Sequence, residues 1–197
     1  MEKLVIAFVG PPLAGKGRFK DAIIEWCGPD KVSCHSTGDI LRSVLEILGE
    51  PQARPDCNKL VALLKTPKPQ GYGENFLAHA MYHRIVDDPR PVIIFDSMRL
   101  LPDEIMVQSL PYRTIRVYIT APPEVRYQRL MLRRRHGEEE MSFAQFCQHE
   151  TLDTELLIRE IGSRADVKLD NSGSDHENDA TRLHFCRNYL HQEYAVD

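Results

Sequence analysis

The 197-residue sequence has one tryptophan, no C-x-x-C pair, no internal repeat, and no apolar run near the roughly 20 residues that a membrane span needs. Its five cysteines (Cys27, Cys34, Cys57, Cys147 and Cys186) are an odd, scattered set that fits neither a disulfide framework nor a zinc site. They read as reduced thiols, several of them in the core. Neither sign of charge dominates: 25 Lys and Arg against 29 Asp and Glu leave a net charge of -4, so general attraction to nucleic acid or an anionic membrane is not expected. Any anion site must be local. The first residues also lack a basic stretch followed by a small-residue cleavage site, so the expectation is a soluble, cytoplasmic, non-secreted protein. The sequence is silent on oligomeric state. At 42% hydrophobic and 27% charged, the chain is compositionally globular, and its length suits about one domain.

The run Leu4-Val5-Ile6-Ala7-Phe8-Val9 is short, continuous and rich in β-branched residues, as expected of a strand buried on both faces of a parallel sheet. Further strands are expected at 32–34, 91–95, 114–119 and 167–169, separated by stretches of helical composition. That alternation predicts an α/β fold, a parallel five-stranded sheet with helices on both faces. Gly28-Pro29 closes the first helix, Pro122-Pro123 opens a later one, and Ser142 with Gln145 has capping-box spacing. Residues 38–90 carry no strand signal and are expected to form a helical insert. The polar run 171–179 reads as a surface loop before the last helix.

Gly10-Pro11-Pro12-Leu13-Ala14-Gly15-Lys16 satisfies G-x-x-x-x-G-K between an expected strand and an expected helix, the context that a phosphate-binding loop requires. Such a loop turns backbone N–H groups inward and adds the positive end of the helix, so a polyphosphate is solvated without water; the lysine neutralises charge on the β- and γ-phosphates. Gly17 stands where a magnesium-ligating Ser or Thr is common, and Arg18 follows. Downstream, Ser36-Thr37-Gly38-Asp39-Ile40-Leu41-Arg42 is a strand end turning into a capped helix. From those residues alone, Thr37 or Asp39 merely caps and Arg42 is solvated. Asp96 closes an apolar strand, where a carboxylate either orients magnesium beside phosphates or caps a helix. Arg126, Arg129 and Arg133 fall within a ~60° arc of one helix, either as a solvated face or as a converging set.

The segment GPPLAGKG resembles the loop of adenylate kinases and related nucleoside-monophosphate kinases, which also place Gly after the lysine, although they usually carry Gly where Leu13 stands and Thr where Arg18 stands. STGDILR is similar to their STGD-x-L-R segment, and Asp96-Ser97-Met98-Arg99 to their D-G-F-P-R. The resemblance implies ATP as donor with Mg²⁺. Gly10, Pro11, Leu13, Ala14, Gly15, Lys16, Gly17 and Arg18 would hold its phosphates, Asp96 and Asp39 would lie near the metal, and Thr37, Arg42 and Arg99 would bind the acceptor phosphate. It further implies Arg129 against the adenine, Arg133 at the transferring phosphate, and a short lid at about 134–142 closed with help from Arg159. Asp170-Asn171-Ser172-Gly173-Ser174 resembles a segment of dephospho-coenzyme A kinases, which implies Ser172 and Gly173 beside the adenine.

The resulting expectation is one P-loop kinase domain, an enzyme moving a γ-phosphoryl group to a small phosphorylated acceptor, most simply a nucleoside or deoxynucleoside monophosphate. Catalysis would rest on Lys16, Arg133, Arg99 and Asp96. Dephospho-coenzyme A or a phosphorylated alcohol as acceptor, a non-catalytic ATP sensor or assembly factor, and an ATPase with no acceptor are the alternatives.

Overall fold

The run from Leu4 to Val9 forms the central strand β1 (Leu4–Val9), and all six of its side chains are fully buried. Successive side chains of a strand point to opposite faces, so Val5, Ala7 and Val9 enter one apolar layer while Leu4, Ile6 and Phe8 enter the other. The computed structural model describes residues 2–64, 75–96, 98–133, 141–151, 153–190 and 194–195. Its other strands are β2 (Val32–Ser36), β3 (Val92–Asp96), β4 (Arg113–Thr120) and β5 (Val167–Asp170). They assemble in the order β2-β3-β1-β4-β5 with every described pair parallel, Ile6 lying opposite Ile94 on one side and Ile115 on the other. This is the α/β fold expected, and strand ends differ from expectation by at most two residues.

On one face lie α1 (Lys16–Cys27) and α9 (Asp175–Tyr189), which place Phe19, Ile23, Phe185 and Cys186 against the sheet. The opposite face is covered by α2 (Thr37–Ile47), α3 (Arg54–Leu64), α4 (Phe76–Asp87), α5 (Leu101–Ser109) and α8 (Asp153–Ser163), through Leu45, Leu60, Met81, Met106 and Ile158. Each fully buried side chain of this size contributes about 1.5–3 kcal/mol. Helices α6 (Pro123–Arg133) and α7 (Phe143–His149) stand together after β4. The expected breaks hold: Gly28 closes α1 at φ 87, and the Ser142 and Gln145 capping box opens α7. Residues 37–87 carry three helices and no strand among the described residues. The broken stretch 65–74, Ser97 and positions 134–140 of the expected lid lie outside the described residues.

The fold positions a site through its connections. After β1 the chain enters α1 on one face; after β3, the neighbour of β1, it enters α5 on the other. Adjacent strands whose exits part in this way leave a crevice at their carboxyl ends. Lys16 follows β1 and Asp96 ends β3, so the two flank that crevice. The Met98 N–H donates to the Phe8 carbonyl at 2.8 Å and ties the two exits together.

Candidate functional site

The loop between β1 and α1 is shaped by two glycines that nothing else can replace. A Cβ on Gly10 would fall 2.1 Å from the Ile119 carbonyl oxygen, and one on Gly15 would fall 2.0 Å from the Asn171 side-chain nitrogen. Leu13 has φ 64, the left-handed region, and no other non-glycine residue among those described does. A leucine there costs about 1–2 kcal/mol. This is the position where the resembled family usually has glycine. By contrast, a Cβ on Gly17 would meet open space, so packing does not demand glycine after the lysine.

Five consecutive carbonyls of this loop are held by side chains. Lys16 Nζ donates to the Gly10 and Pro11 carbonyls at 2.7 and 2.9 Å. Arg126 reaches the Pro12 carbonyl at 3.5 Å, and Arg129 donates to the Leu13 carbonyl at 3.1 Å. Asn171 Nδ2 donates to the Ala14 carbonyl at 2.8 Å. Peptide units are planar, so each fixed C=O sets the N–H of the next residue in the opposite sense; Pro11 and Pro12 have none and the Ala14 N–H is given to the Pro11 carbonyl at 3.4 Å, which leaves the Leu13 and Gly15 N–H groups. Those two groups stand with the N-terminus of α1, an arrangement suited to an anion, and form the cradle of the candidate site.

A cavity of about 780 Å³ opens in front of the cradle, lined by Lys16, Arg18, Asp96, Arg129 and Arg133 among others. Lys16 is buried, and burial together with the nearby Arg99 guanidinium pulls its ammonium down to about 8. Burial also lowers the Arg129 guanidinium below its ordinary value. Besides Leu13, Arg129 holds the Asn171 carbonyl at 2.6 Å, so α6, the loop and the end of β5 form one braced unit. The Arg99 side chain is half-buried, and its backbone is fixed because the buried Asp103 carboxylate accepts from the Arg99 and Leu100 N–H groups at 3.0 Å.

The other expected acceptor residues lie on α2. Ser36 is the N-cap, and its hydroxyl accepts from the Asp39 N–H while the Asp39 carboxylate accepts from the Ser36 N–H and hydroxyl. Asp39 also takes Arg42 at 2.5 Å, and that arginine is nearly half exposed. Asp39 is therefore committed to capping and to Arg42, with Thr37 half-buried as the first residue of α2. Arg99 is brought into the electrostatic neighbourhood of Lys16; Arg42 is turned back onto its own helix.

The expected surface loop at 171–179 needs correction. Helix α9 begins at Asp175, because Ser174 and Glu177 form a capping box, and Asn171 is only 2% exposed. Arg182 stands beside Asn171 Oδ1 at 3.5 Å. The expected Ser172 and Gly173 lie in the short connection between Asn171 and that cap. The converging arginine arc on α6 divides. Arg129 serves the loop as described, Arg133 lines the cavity, and Arg126 is buried in a two-pronged ion pair with Glu150 at 2.8 and 2.5 Å. Arg159 donates to the same Glu150 at 3.0 Å. Sequence reasoning did not single out Asn171, Arg126 or Glu150 as functional; S-x-x-E at 174–177 was a visible sign that the helix starts early, but nothing local marks Glu150.

No family model matches the chain. A UPF0200 protein of Hyperthermus butylicus is 26% identical over 183 residues, spanning 92% of this chain and 93% of that relative. Among solved structures, shikimate kinase from Bacteroides thetaiotaomicron superposes with a TM-score of 0.60 at 14% identity, over 93% of this chain and 96% of that one. A sugar kinase from Janibacter sp. gives 0.53 at 14% identity, with both chains covered completely. What is shared at such identities is the architecture, and the fold of this chain is that of the P-loop kinases.

Proposed function

We propose that this chain is an ATP-dependent phosphotransferase that moves the γ-phosphoryl group to a small phosphorylated acceptor, a nucleoside or deoxynucleoside monophosphate. One observation carries the proposal: five successive carbonyls from Gly10 to Ala14 are all taken by side chains, the first two by Lys16, which lies in the electrostatic neighbourhood of Asp96 and Arg99. A polyphosphate fits the Leu13 and Gly15 N–H groups and the N-terminus of α1, and its charge outbids the two carbonyls that now hold the Lys16 ammonium. Arg18 and Arg133 reach it from the cavity walls, Arg129 with Ser172 and Gly173 would border the base, and Arg99, Thr37 and Arg42 would take the acceptor phosphate. Arg42 must leave Asp39 to do so, which the exposed position of that pair makes inexpensive.

The residues suit magnesium held mainly by phosphate oxygens. Asp96 lines the cavity beside Lys16, and no cluster of three or more His, Cys, Asp or Glu able to cage a metal occurs among the described residues. When bound, magnesium would neutralise charge on the phosphates. The chain's own work is alignment and electrostatics: Lys16 and the arginines hold two anions in line and stabilise charge on the equatorial oxygens.

A second acceptor class is favoured by Glu155. Burial raises its carboxyl above the ordinary value, and it lies within electrostatic reach of Arg99 and Lys16, a polar group that suits a hydroxyl better than a dianion. A phosphorylated alcohol or dephospho-coenzyme A would then replace the monophosphate. Incubation with ATP, Mg²⁺ and a panel of monophosphates, dephospho-coenzyme A and phosphorylated alcohols separates the classes. ADP formed only with an acceptor is expected; ATP bound without turnover would make the protein a sensor and overturn the transferase assignment.

A further inference from the structure

Glu150 carries two arginines, and they are held very differently. Arg126 donates both terminal nitrogens to the two carboxylate oxygens and its Nε to the Ala121 carbonyl at 2.9 Å, with its side chain only 3% exposed. That fork alone satisfies the carboxylate. Arg159 adds a third bond to Oε2 from a side chain that is 54% exposed. The three residues border a cavity of about 390 Å³ together with Pro11, whose carbonyl also holds Lys16. Asp170 lines the same cavity, so two carboxylates and two guanidinium groups balance there beside the loop, and release of Arg159 from Glu150 would free one positive charge.

We infer that Glu150 is a positioning residue with a permanent and a temporary charge. It keeps Arg126 fixed behind the Pro12 carbonyl, and it holds Arg159 until a nucleotide enters, whereupon Arg159 exchanges Glu150 for the terminal phosphate. The exchange is feasible because Glu150 stays fully paired by Arg126 when Arg159 leaves, so no buried charge is stranded. It is directed because a terminal phosphate presents more charge and more acceptor oxygens to the planar fork than the oxygen it gives up. Burial works against the Glu150 charge, and the Arg126 pair outweighs it, holding the carboxyl below its ordinary value; the carboxylate is therefore present throughout neutral pH. The inference rests on the proposed nucleotide site, though not on transfer to any acceptor.

Calorimetric titration of the full chain with ATP and with ADP tests it. Arg159→Ala lies at an exposed position and is expected to fold; it should weaken ATP binding about tenfold while changing ADP binding less than about twofold. In the Glu150→Asp background the carboxylate is one methylene shorter, keeps a charge for Arg126 and reaches Arg159 poorly. There the penalty of Arg159→Ala on ATP should grow by about threefold, because Arg159 no longer has a bond to give up. A merely structural ion pair would not couple to the terminal phosphate in this way. Equal effects of Arg159→Ala on ATP and ADP, or none on either, would overturn the inference while leaving the nucleotide site intact. Loss of all nucleotide binding by the unaltered protein would instead remove the site itself. Selective loss of ATP binding in a protein that transfers to no acceptor would uphold the exchange and reject the transferase.

Discussion

The two halves of the candidate site are built to different standards. On the donor side, from Gly10 to Ala14, every carbonyl is held by a side chain from α1, α6 or the β5 exit, and two glycines sit where a Cβ would collide. On the acceptor side, Arg99 is anchored through Asp103, but Arg42 is exposed and paired with Asp39. On the proposed reading, a polyphosphate would meet a loop braced in advance, whereas an acceptor would meet one fixed cation and would have to draw a second out of an ion pair. Preorganisation is placed where the ligand is always the same, and adjustability where the ligand confers specificity.

Mutations that sharpen this contrast can be ranked. Lys16→Ala removes the buried cation proposed to meet the transferring phosphate, and the transfer rate should fall about 100- to 1,000-fold in a coupled ADP assay. An unchanged rate would take the loop out of the chemistry. Asn171→Ala deletes the group that holds the Ala14 carbonyl and fills the space beside Gly15; ATP affinity should drop about tenfold with little change in acceptor KM. Arg99→Ala should do the reverse, raising acceptor KM about tenfold and sparing ATP affinity. If both variants moved both constants equally, the division into a donor half and an acceptor half would be wrong.

Two smaller effects follow from the loop itself. With Lys16 pulled down to about 8 from its ordinary 10.5, the unfolded chain holds this proton more tightly than the folded one. Between about pH 8 and 10.5 this group therefore makes the free protein more stable as pH rises, and Lys16→Met should flatten that rise in chemical denaturation. Bound phosphates favour the charged ammonium, so ATP binding at pH 8.5 should take up a proton, visible as a dependence of the calorimetric heat on buffer ionisation enthalpy. The same titration at pH 6.5 should show little uptake from this group. Least of all, Leu13→Gly relieves a left-handed leucine at the expense of backbone entropy, and should raise stability by about 0.5–1 kcal/mol, a few degrees in Tm. A fall in Tm would mean that the Leu13 side chain contributes more packing than its backbone conformation costs.

The legible parts of this protein are those whose causes lie close together in the chain. Leu4 to Val9, all apolar and half of them β-branched, can be satisfied only by burial on both faces, and the strand, its parallel neighbours and the loop at its end follow from that run and the glycines after it. Ser142 and Gln145 cap α7 as spacing predicts. Where composition stood in for mechanism, it misled: the polar residues at 171–179 suggested surface, yet Ser174 and Glu177 already start a helix, and Asn171 is polar because a carbonyl 157 positions earlier needs a donor.

What the sequence determined by itself is the alternation of buried strands with helices and the glycine-shaped loop at the first strand's end, since both arise from local periodicity and from glycine's freedom at fixed spacing. Tertiary structure alone decided how the arginines were shared out. Arg126, Arg129 and Arg133 are equivalent on a helical wheel, but one meets Glu150, one the loop and Asn171, and one the open cavity. Charge acts through space, and a partner 24 or 116 residues away leaves no trace in the pattern around the arginine itself.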